Sequence, residues 1–313
     1  MIEIVSKSLK AHIIPYGATL AGLWHRDAPY SLVLGSTDAA AYKGALEYFG
    51  AIIGPVANRV ARAEINVSGT HWEMERNEGA NCLHSGSDGT HGREWRISKR
   101  SADSVTLKLD LKHGTSGLPG NRILTARYQV TDNGTLHLYL EAQSDADTVM
   151  NMAHHPYWNL DAQPTIRKHK LSVQAQHYLP VDAQLLPTGQ VKPVVGTEYD
   201  FLSPRPVPKH LALDNNFCLS DNRRRAPELA AILTGSSGMT LRIETTEPGL
   251  QVYSGSGISP CSWPLNDDRT IGPRAGIALE PQGWPDAPNQ PHFPQIWLNA
   301  KEMYFQETSY CLS

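Results

Sequence analysis

Several short segments of the 313-residue chain carry side chains suited to moving a proton or gripping a polar ligand. Glu280 ends the apolar run Gly276-Ile277-Ala278-Leu279 and is followed at once by Pro281. A carboxylate at a strand end, facing a Pro-rich loop, is a candidate general base on a rigid support. The stretch Ala153–Leu160 reads AHHPYWNL. Histidine changes charge near neutral pH, and aromatic faces suit the apolar face of a sugar ring. The plainer reading of that cluster is an aromatic core edge. His84 lies in NCLHSGSDG, a flexible run that lets a ligand approach closely, although a lone loop histidine is more often a surface residue. Asn58-Arg59 follows the apolar run YFGAII. A forked guanidinium there can bind hydroxyls or a carboxylate, or cap the sheet edge beside an acidic neighbour. Asp214 heads the polar turn Asp214-Asn215-Asn216, where an Asx-turn is the simpler explanation.

Strands must position these groups. Period-two alternation recurs at Ser104–Leu109, Ile123–Val130, Leu136–Glu141, Thr240–Glu244 and Leu250–Tyr253. Asp132-Asn133-Gly134 marks a hairpin between two of these runs. Helical stretches are few: Thr37–Tyr42, with Thr37 as a cap, and Pro227–Leu233, with Pro at the first turn. The expected architecture is one large antiparallel β domain over residues 1–313, with a two-domain all-β chain second. Ser203–Pro208 (SPRPVP) reads as a loop crossing between strands, and Arg223-Arg224-Arg225 as a solvated loop.

Composition narrows the function classes. Twenty-two prolines and 25 glycines fit many short elements joined by tight turns. Lys and Arg total 28 against 31 acidic residues, without a basic run long enough for a nucleic-acid backbone. No stretch reaches the ~18 apolar residues of a membrane span, and no signal-peptide core opens the chain. Cys82, Cys218, Cys261 and Cys311 are widely spaced, as in a reduced cytoplasmic protein. Zinc-ligand spacings and Gly-rich phosphate loops are not seen, so neither a metal nor a cofactor is expected.

Taken together, the segments resemble the aldose 1-epimerase (galactose mutarotase) family. The resemblance runs from Gly17-Ala18-Thr19-Leu20 to the LEPQ…PDAPN segment. It rests on Asn58-Arg59, on His84 in an L-H-x-G loop, and on His155-Pro156-Tyr157-Trp158-Asn159-Leu160. Asp214 in DNNF, Gln251 in QVYSG, Leu186–Gly189 (LPTG) and Glu280 in LEPQ complete it. Two positions depart from the family pattern: Gly54-Pro55 in place of Gly-Arg, and His154 in place of Asn. Both are expected beside the sugar site.

The resemblance implies an all-β, galactose mutarotase-like β-supersandwich with an open cleft. It implies a monosaccharide substrate whose ring opens and recloses by acid–base chemistry, in a monomer or homodimer. Glu280 would be the base, as carboxylate, and His155 the acid, as imidazolium. His84 would hydrogen-bond the ring oxygen or a nearby hydroxyl. Asn58, Arg59, Asp214 and Gln251 would hold hydroxyls, and Tyr157 or Trp158 would offer an aromatic wall. Competing readings are a hexose-phosphate 1-epimerase using Arg26 or Arg223–Arg225, a non-catalytic carbohydrate-binding protein, and a glycosidase pairing Glu280 with Asp214 or Asp286.

Overall fold

The computed structural model describes residues 1–267 and 269–313. An eight-stranded antiparallel sheet runs in the order Lys170–Val173, Glu228–Thr234, Thr240–Thr245, Met303–Leu312, Thr135–Ser144, Arg122–Val130, Ser104–Leu111, Arg96–Arg100. A six-stranded sheet runs Tyr157–Trp158, Ile277–Gln282, Gly249–Tyr253, Asp214–Cys218, His177–Tyr178, Lys192–Pro193. A three-stranded meander, Ile2–Val5, Leu9–Ile14 and Thr19–His25, and several two-stranded ribbons complete the β structure.

Alternation builds the core. Val105, Leu107, Leu109 and Leu111 face inward from one strand, Leu124, Ala126, Tyr128 and Val130 from the next, and Leu136, Leu138, Leu140 and Ala142 from the third. Leu250, Val252, Ile277 and Leu279 of the six-stranded sheet join the same buried cluster. Each buried leucine is worth roughly 1.5–3 kcal/mol over an exposed one. The cluster also takes in Ile2 and Leu312, near the two ends of the chain.

All five expected strands are present. The Asp132–Gly134 hairpin forms too: Thr131 N–H donates to Thr135 O at 2.9 Å, and Gly134 takes the left-handed φ of 83° that the turn requires. The expected helices are corrected. All of Pro227–Leu233 but Pro227 itself belongs to the strand Glu228–Thr234, which lies between two neighbours. A register shift between Leu229 and Ala231 buries Ala230 and Ala231 in succession. That bulge breaks the period-two signal in the sequence. In the Thr37–Tyr42 region the chain forms a single 3-10 turn, Ala39–Lys43. Its cap is Asp38, whose Oδ1 accepts the Ala40 N–H at 2.9 Å, instead of Thr37.

The arginine run lies in a loop outside the strands, as expected, with Arg223 and Arg225 exposed. Arg223 in addition binds the two oxygens of the fully buried Glu247 through Nε and Nη2 at 2.7 and 3.2 Å. No helix among the described residues is long and apolar enough to cross a membrane.

Candidate active site

The six-stranded sheet has two faces, and its alternation sorts them. In Ile277–Gln282, Ile277 and Leu279 enter the core, so Glu280 and Gln282 point to the other side. In Gly249–Tyr253, Leu250 and Val252 go inward while Gln251 and Tyr253 go outward. The register sets Gln251 opposite Glu280 on one flank and Asn216 on the other, and Asp214 opposite Tyr253. The same rule separates His155 and Tyr157 from His154 and Trp158. The first pair faces a cleft, and the second pair packs on Tyr310 in the interior.

The cleft has a volume of about 340 Å³ and is lined by Asn58, Arg59, His84, His155, Tyr157, Asp214, Gln251 and Glu280. These eight expected residues are therefore in one place. Such a volume lies in the ordinary range for small-molecule pockets, about 300–1,000 Å³. Trp158 is a correction: it is fully buried in the core and offers no wall to a ligand. His154 and Pro55 do not themselves line the cleft. His154 instead places Nδ1 3.1 Å from the Tyr310 hydroxyl.

Two loops bring Asn58 and His84 together. Asn58 and His84 both adopt left-handed backbone, with φ of 64° and 54°. That conformation is uncommon outside glycine, and each loop holds the other in it. The His84 N–H donates to Asn58 O at 3.0 Å, and the Asn58 N–H donates to His84 Nδ1 at 3.1 Å. Nδ1 is thus an acceptor, so the neutral ring carries its proton on Nε2. Burial and the charges of His155, His91 and Arg59 hold the His84 pKa well below its ordinary value. His84 is a neutral donor.

Arg59 sits in the strand Arg59–Val60, paired with Cys82–Leu83. Its Nε and Nη2 bind Glu78 at 2.6 and 2.9 Å, and Nη1 stands 3.6 Å from Asp214 Oδ2. Asp214 Oδ1 accepts from Gln251 Nε2 at 2.6 Å. Burial raises the Asp214 pKa against the opposing pull of Arg59 and Gln251. Arg59 is thus paired with acidic neighbours, and it also lines the cleft.

The backbone of His155 is clamped: its N–H donates to Ala51 O at 3.0 Å, and its carbonyl accepts the Gly50 N–H at 2.8 Å. Its Nε2 stands 3.4 Å from Glu280 Oε1, and both side chains are almost wholly buried, at 6% and 2% exposure. Burial lowers the His155 pKa to about 4. Burial, helped by the charge of Asp214 and opposed by Arg59, raises that of Glu280 well above its ordinary value. The expected carboxylate–imidazolium pair is thus opposed by desolvation, which favours protonated Glu280 beside neutral His155. Their mutual attraction works the other way.

Sequence reading missed several lining residues. Tyr48 packs its ring 5.0 Å from His84, 4.9 Å from His91 and 6.3 Å from His155. It lies in the apolar run before Gly54, which carries no polar signal. Tyr253, Leu185, Ala212, Ser256 and Gly257 also line the cleft. Glu78, which fixes Arg59, lies in a loop segment with Glu75 and Arg76 and does not stand out among these charges. One set of potential metal ligands, Glu64, His71 and Glu73, meets on a surface hairpin outside the cleft. There Glu64 already faces Arg62 and Arg76.

A family model described as aldose 1-epimerase matches residues 1–311. Human galactose mutarotase is 34% identical over 320 residues, spanning 98% of this chain and 92% of that protein. The aldose 1-epimerase of Escherichia coli (strain K12) is 31% identical over 291 residues, spanning 89% of this chain and 84% of that protein. Among solved structures, an aldose epimerase homologue from C. elegans superposes with a TM-score of 0.93 at 28% identity, covering 100% of this chain and 98% of the other. Galactose 1-epimerase from Lactobacillus acidophilus gives 0.82 at 26% identity, covering 99% and 92%. With a matched sequence model, a shared fold and a sugar-sized cleft holding the motif residues, the chain belongs to the aldose 1-epimerase family.

Proposed function

We propose that the protein interconverts the α and β anomers of a free aldohexose such as galactose or glucose, and that residues 1–313 work as one domain. The observation that carries this reading is the 3.4 Å contact between His155 and Glu280 in the cleft. Anomer exchange breaks the C1–O5 bond. A base takes the proton of the C1 hydroxyl while an acid delivers one to O5. The aldehyde then turns about C1–C2 and closes from the other face. Glu280 is the base and His155 the acid. Ring opening converts carboxylate and imidazolium into carboxylic acid and imidazole, and ring closure reverses this. Each tautomer of the pair is therefore visited once per turnover. Desolvation, which lifts Glu280 and lowers His155, keeps the open-chain tautomer from lying far uphill.

His84 Nε2–H is the neutral donor for the ring oxygen or a neighbouring hydroxyl. Asn58, Arg59, Asp214 and Gln251 hold hydroxyls, and Tyr157 and Tyr48 supply aromatic surface. A phosphorylated sugar fits less well. Arg59 is the sole Lys or Arg lining the cleft among the described residues, and it is already engaged by Glu78. Arg26 and Arg223–Arg225 do not line it. A glycosidase fits less well too. Asp214 is committed to Gln251 and Arg59, and Asp286 accepts the Ala61 and Asn289 donors. A purely binding protein gains nothing from burying a carboxylate against a histidine.

Polarimetry of freshly dissolved α-D-galactose and α-D-glucose, alongside their 6-phosphates, tests this reading. The protein accelerates the approach to anomeric equilibrium for the free sugars. No acceleration for any free aldose would refute it, and a preference for the phosphates would replace it with the phosphate reading.

Arg59→Ala probes the hydroxyl grip. Hydrogen bonds to a charged group are worth ~1.5–3 kcal/mol, so KM rises about 10–100-fold while kcat falls less. Steady-state kinetics showing a lower kcat at unchanged KM would assign Arg59 a different task.

A further inference from the structure

Just past Glu280, on the cleft side of the six-stranded sheet, lies a cluster of buried amides without hydrogen-bond partners. Both polar atoms of Asn216 and both of Gln282 lack a partner, as do Gln251 Oε1 and Glu280 Oε2. Asn216 is 2% exposed and Gln282 0%. The register gathers these side chains around one spot. Gln251 stands between Glu280 and Asn216, and Gly249 stands between Gln282 and Cys218. Gly249 leaves its place on the face unfilled, and the Asn216 amide leans over it. A Cβ added at Gly249 would fall 2.4 Å from Asn216 Oδ1 and 3.1 Å from its Nδ2. The Asn216 amide therefore packs over the bare backbone of Gly249, beside Gln282.

Leaving a buried donor or acceptor unpaired costs ~1–3 kcal/mol. Folded proteins answer such groups with a direct bond or with an ordered water shared among about three polar neighbours. Apolar side chains of the same shape would fill this space without that cost, so packing alone does not account for two amides here. The neighbouring base does account for them. An amide N–H aimed at a carboxylate favours its ionised form and fixes its orientation.

We propose that Asn216 and Gln282 are positioning residues for Glu280, reaching its Oε2 through a buried water shared with Gln251, so that Oε1 stays aimed at His155. The proposal rests on the functional reading above. It adds two residues that touch neither sugar nor proton.

The test compares wild type, Gln282→Met and Asn216→Leu by polarimetry across pH, with thermal unfolding as a control. Losing the amide donors makes Glu280 harder to ionise. One limb of the kcat/KM profile therefore moves to higher pH: the acid limb if the pair rests as an ion pair, the alkaline limb if it rests neutral. We expect kcat to fall about 10–100-fold, the usual cost of losing an orienting partner, with KM nearly unchanged. Thermal unfolding close to wild type shows that the fold survives and that the loss is one of positioning. An unshifted profile with wild-type kcat in both variants overturns the proposal while leaving the function intact. If one variant does not fold, the other decides. If neither folds, the amides are structural and the proposal fails. An inactive wild type would instead overturn the functional reading, and this inference with it.

Discussion

Glu280→Gln lowers kcat for mutarotation by about 10²–10⁴-fold, the range expected when a positioned general base is lost. The substitution keeps size and hydrogen-bonding capacity but removes the oxygen that takes the C1 hydroxyl proton. The fold tolerates it. Glu280 is 2% exposed with an unpartnered Oε2, so a neutral amide relieves the burial of a charge instead of breaking a network. The pH profile carries the finer signature. Wild-type kcat/KM is bell-shaped, because only the singly protonated Glu280–His155 pair is productive. Activity is lost at low pH when a second proton binds, and at high pH when the last one leaves. In Glu280→Gln the acid limb disappears. The remaining activity needs protonated His155, whose pKa is lowered to about 4, so it declines as pH rises. Polarimetric rates between acidic and alkaline pH check both points. Near-wild-type turnover by the folded variant would remove Glu280 from the reaction.

His155→Asn has a comparable effect, about 10²–10⁴-fold on kcat, for the opposite reason. The amide cannot deliver a proton to O5. What remains depends on ionised Glu280, whose pKa burial raises, so the residual activity climbs with pH instead of falling. The opposite slopes of the two variants separate base from acid. The clamp on the His155 backbone does not involve its side chain, so the strand context survives. Circular dichroism and unfolding curves matching wild type confirm that the loss is chemical. A residual rate that falls with pH in both variants would reverse the assignment.

Much of this was legible in the sequence, for reasons that can be named. Strands half-buried in one sheet write their alternation plainly, as in Ser104–Leu111, so the β architecture could be read. Glu280 and His155 stood out because a carboxylate and an imidazole interrupt runs of core residues. The bulge at Ala230 erased that alternation and made a strand look helical. Trp158 went astray because motif membership does not say which face a side chain takes. In a strand, neighbouring residues point to opposite sides, and His155 and Tyr157 had claimed the cleft. Tyr48 and Glu78 left no trace, since an aromatic in an apolar run and an acid in a loop are ordinary. The desolvation of the buried pair left no mark in the sequence for a different cause. Desolvation depends on what surrounds Glu280 in space, and its neighbours Asp214 and Arg59 lie far away along the chain.

The central claim is that Glu280 and His155 act as one unit, one taking a proton from the sugar as the other gives one to it, and a double-mutant cycle in kcat tests it most directly. Groups that serve one step together lose nearly everything when either is removed. Glu280→Gln/His155→Asn is therefore expected to be no slower than the slower single variant, within a few-fold. Losses that multiply across the cycle would show two groups working independently and would contradict the account.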